Sequence, residues 1–440
     1  MRAPRVFDAA RRMLTCLAAS IALATPCAVA DALPPLPIAA FKSATPAVAT
    51  PGAVVAIGGG LRDDNHEVWS RLVALAGGPG ARFVVLPTAS STPVSAGAEA
   101  VAALEAHGAQ AEALPVSPRF EGTDVNQAVR NPELVAKVRA ARGVFFTGGA
   151  QEYIVDALQP GGVATPMLEA IRDVLAQGGV VAGTSAGAAV MSAVMFRDPP
   201  VVATVMKGSL REGKDVDRGL GFVGPALFVD QHFLRRGRLG RALPLMQARG
   251  YEVGIGVEED TAAVVRDSSI EVIGPGGVVF VDLGEATTDP RRGAFNIAGA
   301  RLTYLADGDR FDVHTRSLTP APAKLQGQRL EPAARGFSPY YEDTPFLLDV
   351  LGEGAVLKAM TYMVDGPSAV VSGLAYDAGP DAAPPRDLGF EFRFSRLPET
   401  IGWFASVNDI ESYTVANVRL DVEPVKVAEP LYRDWPKTRR

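Results

Sequence analysis

The sequence predicts an α/β fold, and three observations carry that expectation. Short apolar runs of four or five residues recur along the first half, residues at helical spacing follow them, and glycine-rich turns close several of the runs. With 440 residues, 48% hydrophobic and 21% charged, the chain is long enough for one large or two ordinary domains. A disordered chain is excluded by the apolar content.

The elements follow in order. Arg2, Arg5, Arg11 and Arg12 precede an apolar stretch at 13–24 and the small-residue site Ala28-Val29-Ala30, so residues 1–30 predict a signal peptide and an exported protein, periplasmic or extracellular. That stretch is about a dozen residues, short of the roughly 20 that span a bilayer. No membrane span is therefore expected after its removal. Residues 31–50 read as a Pro/Ala-rich leader.

The run 54–57 ends in Gly58-Gly59-Gly60, helical spacing follows over 68–75, and 83–86 reads as a second buried strand. A helix over 98–106, a strand over 143–146, a helix with Leu168, Ile171 and Leu175 on one face, and a strand over 180–182 continue the alternation. Repeated βα units with right-handed crossovers gather the loops at the strand carboxyl ends on one rim, where open parallel sheets bind ligands. From about residue 264 the period turns to two. The runs 269–273 and 278–283 flank Gly274-Pro275-Gly276-Gly277, and 301–305 leads into Asp307-Gly308, a hairpin turn signal. A first domain over 51–317 is expected, then a Pro-rich linker over 318–345, then a smaller β-rich region over 346–440 with alternation at 390–394 and 418–422.

Composition removes several function classes. Forty-nine acidic against 43 basic side chains leave a formal charge of −6, which argues against a nucleic-acid partner. Both cysteines, Cys16 and Cys27, lie in the expected signal peptide, so thiol catalysis and cysteine-metal sites are excluded from the mature chain. No metal-ligand spacing appears, and no cofactor is expected. The triple glycine at 58–60 lacks the Lys-Ser/Thr ending of a phosphate loop and reads as an ordinary βα turn.

Gly183-Thr184-Ser185-Ala186-Gly187 stands directly after the strand 180–182 and before an apolar helix expected over 188–195. In a nucleophile elbow the glycines admit a tight strand-to-helix turn that leaves the serine hydroxyl exposed above the sheet. A serine hydroxyl needs a base. Of the four histidines, His66, His107 and His314 occupy positions where exposed histidines are ordinary. His232 ends the apolar run 226–229 in Asp230-Gln231-His232-Phe233, on the rim expected to carry Ser185. A carboxylate that orients the imidazole is offered by Glu258 and Glu259, between which the sequence does not choose. The Gly148-Gly149 pair after the strand 143–146 can present backbone N–H groups to an oxyanion, with Ala186 N–H as the natural second donor. Arg235, Arg236, Arg238 and Arg241 follow the histidine, beside Asp230. They suggest a bipolar pocket that recognises carboxylates or a polyacid backbone.

FFTGGAQ (145–151), GTSAGAAVM (183–191), DQHFLRRGRLGR (230–241) and GIGVEEDTA (254–262), in this order, resemble the cyanophycinases. These are serine peptidases grouped with peptidase E in the class I glutamine amidotransferase-like fold, and the resemblance covers roughly residues 52–285. It implies an open, mostly parallel sheet flanked by helices, with Ser185 as nucleophile, His232 as base, Glu259 as orienting acid, and Gly149 with Ala186 as the oxyanion hole. It also places Gln151, Asp230, Gln231, Arg236, Arg238 and Arg241 in the substrate pocket. The implied substrate is cyanophycin, a polyaspartate bearing arginine on each side-chain carboxyl, cleaved to β-Asp-Arg dipeptides. The partner is then a polymer or peptide rich in Asp and Arg, with a homodimer left open. Three alternatives stand: a peptidase E-like aspartyl or isoaspartyl dipeptidase, an exported inactive binding module, and an esterase whose triad would end on His314.

Overall fold

The computed structural model describes residues 51–208, 210–407, 410–428 and 431–432, so the expected signal peptide and leader lie outside the described residues. Five parallel strands form the first half of one nine-stranded sheet: β1 (Ala53–Ile57), β2 (Arg82–Leu86), β3 (Gln110–Ala113), β4 (Gly143–Phe146) and β5 (Val180–Thr184). β1 and β4 are buried along their whole length, and β2 and β5 are buried at every residue but one end. Strands covered on both faces by helices need continuous apolar sequence, which is why they read as runs rather than as alternation.

Several of the helices between them start where capping residues stand. The Thr165 side chain accepts from Leu168 N–H ahead of Pro166, and Asn131 accepts from Glu133 and Leu134 N–H ahead of Pro132. Each satisfies donors that the first helical turn leaves unpaired.

The spatial order is β3-β2-β4-β5-β1, so β5 lies between β4 and β1. Four antiparallel strands then continue the sheet beyond β1, in the order Ala262–Arg266, Ser269–Ile273, Arg310–Asp312 and Ser317–Thr319. The α/β class expected from the sequence is the observed one.

The period-two half of the chain is arranged differently from the expected hairpins. A second sheet starts with the parallel pair Leu227–Gln231 and Val253–Val257 and continues through Gly277–Asp282, Ile297–Ala306, Ile410–Lys426, Leu388–Val407 and Val370–Ala375. The strands on either side of Gly274–Gly277 belong to different sheets, as do those on either side of Asp307-Gly308. The physical reason at the second turn is Asp309, which is fully buried. Its carboxylate accepts from Ala306 N–H, Ala321 N–H, Lys324 Nζ and Thr414 Oγ1, so the chain wraps a buried charge and crosses between sheets instead of closing a hairpin.

The segment 318–345 is not plain connecting chain either. It finishes the strand Ser317–Thr319 and forms the helix Pro322–Gln326, where Pro322 takes the helix-start position that suits proline. It then adds Gln328–Leu330 to the strand Leu388–Val407. Described residues on both sides of it fall in one compact unit. The β-rich C-terminal region therefore widens the sheet that begins with Leu227–Gln231. No helix among the described residues is long and apolar enough to cross a membrane.

Candidate active site

Ser185 follows β5 with φ +53°, a left-handed conformation that costs a non-glycine residue energy and that a sharp strand-to-helix turn imposes. The helix after it is a single turn, Ala186–Ala189, rather than the expected 188–195. The chain leaves at Val190, Ser192 Oγ donates to Val194 carbonyl, and Val194–Phe196 becomes a strand against Val216–Arg218.

His232 follows the strand Leu227–Gln231, also at positive φ (+46°). Its Nε2 lies 2.8 Å from Ser185 Oγ, and its Nδ1 lies 2.5 Å from Glu259 Oε1. Hydroxyl, imidazole and carboxylate thus stand in series. The geometry also separates the two glutamates. Glu258 turns to the other side, where Oε2 accepts from Leu234 and Arg235 N–H and Oε1 from Glu259 N–H.

The three groups come from two sheets: the serine from the first, the histidine and the acid from the second. Gly58-Gly59-Gly60, read above as an ordinary turn, joins them. Gly58 carbonyl accepts from His232 N–H, and Gly59 carbonyl accepts from Asp260 N–H. A Cβ on Gly59 would come within 2.1 Å of the imidazole Cε1, so only glycine lets the loop pass over the ring. The signal for this role was available in outline, since the glycines end β1. What the sequence did not reveal is that β5 inserts beside β1.

On the other flank of β5, Gly148 and Gly149 follow β4. Gly149 has φ +137°, and a Cβ there would meet Ala89 carbonyl at 2.0 Å. Among the described residues neither Gly149 N–H nor Ala186 N–H has an acceptor. Free backbone donors on the two loops beside a nucleophile are what a developing oxyanion requires. Among the described residues, three of the four buried side-chain polar atoms without a partner also belong to residues beside these groups: Thr147 Oγ1, Thr184 Oγ1 and Gln231 Oε1. Buried polar atoms are normally paired, so such a concentration marks a place where a ligand or solvent completes the bonding.

Burial pushes the His232 imidazole below its usual pKa, the Glu259 hydrogen bond opposes this, and Arg236 and Arg238 add to the lowering. The ring is therefore neutral near pH 7 and able to take a proton from the serine.

A model of peptidase family S51 matches residues 54–273. The cyanophycinase of Nostoc sp. is 34% identical over 67% of this chain and 96% of its own length. That of Geminocystis herdmanii is 35% identical over 58% of this chain and 92% of its own. The chain belongs to peptidase family S51. A solved structure of a peptidase from an acI-B1 Actinobacterium, 22% identical, covers 59% of this chain and 96% of its own with a TM-score of 0.45.

As a member of family S51 the protein is a serine peptidase, and the structure places the substrate-side residues expected from the sequence as follows. Asp230 is buried, and both its oxygens are held by the Arg241 guanidinium at 2.8 and 2.6 Å. Burial alone would raise this carboxyl, but Arg241 and Arg238 outweigh it and hold it below the usual range. Arg238 Nη1 donates to Gln231 carbonyl, and burial pushes this guanidinium down to about 10. Arg241 also stacks over Phe196, 4.3 Å from the ring centre. The bipolar character expected of the pocket is thus largely consumed within the protein. Gln151 is likewise engaged, its amide nitrogen donating to Phe196 and Arg197 carbonyls. Arg236 and Gln231 are the exceptions among these residues: Arg236 is exposed and without an ion pair among the described residues, and Gln231 Oε1 is buried without a hydrogen-bond partner.

Proposed function

We propose that this S51 peptidase is exported and hydrolyses cyanophycin to β-Asp-Arg dipeptides by an acyl-enzyme mechanism on Ser185. The observation that carries the reading is the unbroken series Ser185 Oγ, His232 Nε2 and Nδ1, Glu259 Oε1. In this mechanism Oγ attacks a backbone carbonyl carbon of the polyaspartate as its proton passes to Nε2. Glu259 holds the Nδ1 proton and stabilises the imidazolium. The oxyanion is received by Gly149 and Ala186 N–H, each such donor being typically worth about 10²–10³ in rate. The imidazolium then protonates the leaving amine, and water, deprotonated by His232, releases the acyl group. No metal or cofactor has a part in this sequence.

The substrate assignment is supported by the relatives named as cyanophycinases and by Arg236, whose unpaired guanidinium suits a substrate carboxylate. Export is supported by the arginine-led apolar segment at the N-terminus. The test is incubation of the purified protein with cyanophycin and, separately, with plain β-aspartyl dipeptides, reading products by mass. Release of β-Asp-Arg from the polymer is expected. Cleavage of the short aspartyl peptides alone would move the protein to a peptidase E-like dipeptidase.

A further inference from the structure

The turn that carries Arg236 and Arg238 begins at the catalytic histidine, since Arg236 N–H donates to His232 carbonyl and Arg238 N–H to Phe233 carbonyl. Against this turn lies a cavity of about 450 Å³, within the roughly 300–1,000 Å³ of small-molecule sites. Its lining brings Arg236, Arg238 and Arg241 together with the segment 199–203 and with Asp349, Leu351 and Tyr376, the last three lying outside the segment matched by the family model.

The C-terminal part of this lining is held against the turn. Gly237 (φ +58°) approaches Leu351 so closely that a Cβ would meet the Leu351 carbonyl oxygen at 2.1 Å, and Arg235 forms an ion pair with Glu353. Asp349 is exposed, has no cationic partner among the described residues, and spends one carboxylate oxygen on Leu351 N–H at 3.1 Å. Tyr376 is half-buried, with its ring 5.9 Å from Lys207 Nζ.

We propose that the C-terminal region completes an arginine subsite next to the catalytic residues. Asp349 takes the guanidinium of a substrate arginyl unit beside the Tyr376 ring, and Arg236 takes that unit's carboxylate. A carboxylate and a guanidinium lining one cavity complement the zwitterionic arginyl group, and a planar guanidinium pairs well with a carboxylate and stacks well on an aromatic ring. The inference rests on the substrate reading above and assigns the C-terminal region a part in it: the β-rich addition sets specificity.

The test uses a synthetic segment of three β-Asp-Arg units and the same segment with citrulline in place of arginine, which keeps the length and removes the charge. The native enzyme is expected to favour the arginine segment in kcat/KM. Asp349→Asn is expected to erase about five- to tenfold of that preference through KM, as suits an exposed charge-assisted contact, while Asp349→Glu restores most of it. A preference undiminished in Asp349→Asn, or an equal loss on both segments, would overturn the subsite and leave the substrate reading standing. A native enzyme that cuts β-aspartyl dipeptides and neither segment would overturn the substrate reading and this inference with it.

Discussion

Glu259 and Glu258 are adjacent in sequence and act on opposite sides of one strand end: Glu259 meets the His232 imidazole at 2.5 Å, and Glu258 clamps the backbone of the turn that follows that histidine. Different losses are therefore expected from each. Glu259→Gln should lower kcat by about 10²–10⁴ with little change in unfolding temperature, because the imidazole loses its orienting charge. Glu258→Ala strips an acceptor from three N–H groups and should cost about 1–3 kcal/mol of stability. Paired kinetics and thermal melts on the two variants check this, and the reverse pattern would exchange their roles.

The pH profile follows from the surroundings of His232. Burial, then Arg236 and Arg238, lower its pKa, so the neutral base persists below the ordinary histidine midpoint of about 6.5. The acid limb of kcat/KM should accordingly fall below pH 6.5. Arg236→Gln removes a positive neighbour, which stabilises the imidazolium, raises the pKa and moves the acid limb to higher pH. A shift to lower pH in that variant would contradict the electrostatic account.

Gly59→Ala tests the loop that binds the two sheets. The added methyl would meet the imidazole, and φ +101° strains any side chain, so the ring must move or the loop must open. Activity should drop by about 10² or more, since small displacements of reacting groups cost that much. Turnover of the purified, folded variant is the measurement.

The candidate site was more legible in the sequence than the assembly that brings it together. Ser185 and His232 stand in local patterns, a run of apolar residues ending in a distinctive turn, and such patterns depend on few distant contacts. The choice between Glu258 and Glu259 turned on side-chain direction at a strand end, which no pattern carries. Period-two alternation identified Ser269–Ile273 and Gly277–Asp282 as strands but said nothing about which sheet each joins. The four-residue helix Ala186–Ala189 was overestimated because the apolar residues beyond it are buried in a turn and a strand rather than on a helical face. The charges of Asp230 and Arg241 near His232 are visible in the sequence, whereas their pairing with each other is not.

That buried pair gives a stability prediction. Arg241→Met leaves the Asp230 carboxylate buried with only the more distant Arg238, at 3.5 Å, as a charged partner. Removing one member of a buried pair typically costs about 3–5 kcal/mol. Because the folded pKa of Asp230 is lowered, the native pair stabilises the fold above the ordinary aspartate range and loses that contribution as pH falls through the folded value. Urea unfolding at pH 7 should show the loss, and the gap between native and variant should narrow in acid.

The most direct measurement is hydrolysis by Ser185→Ala, purified and shown to be folded, on whichever substrate the native protein cleaves. A fall in kcat of about 10³ or more, to the residual rate that oxyanion donors and binding alone sustain, is the result expected of a serine nucleophile at the head of this series. Turnover within a few-fold of the native rate would contradict it.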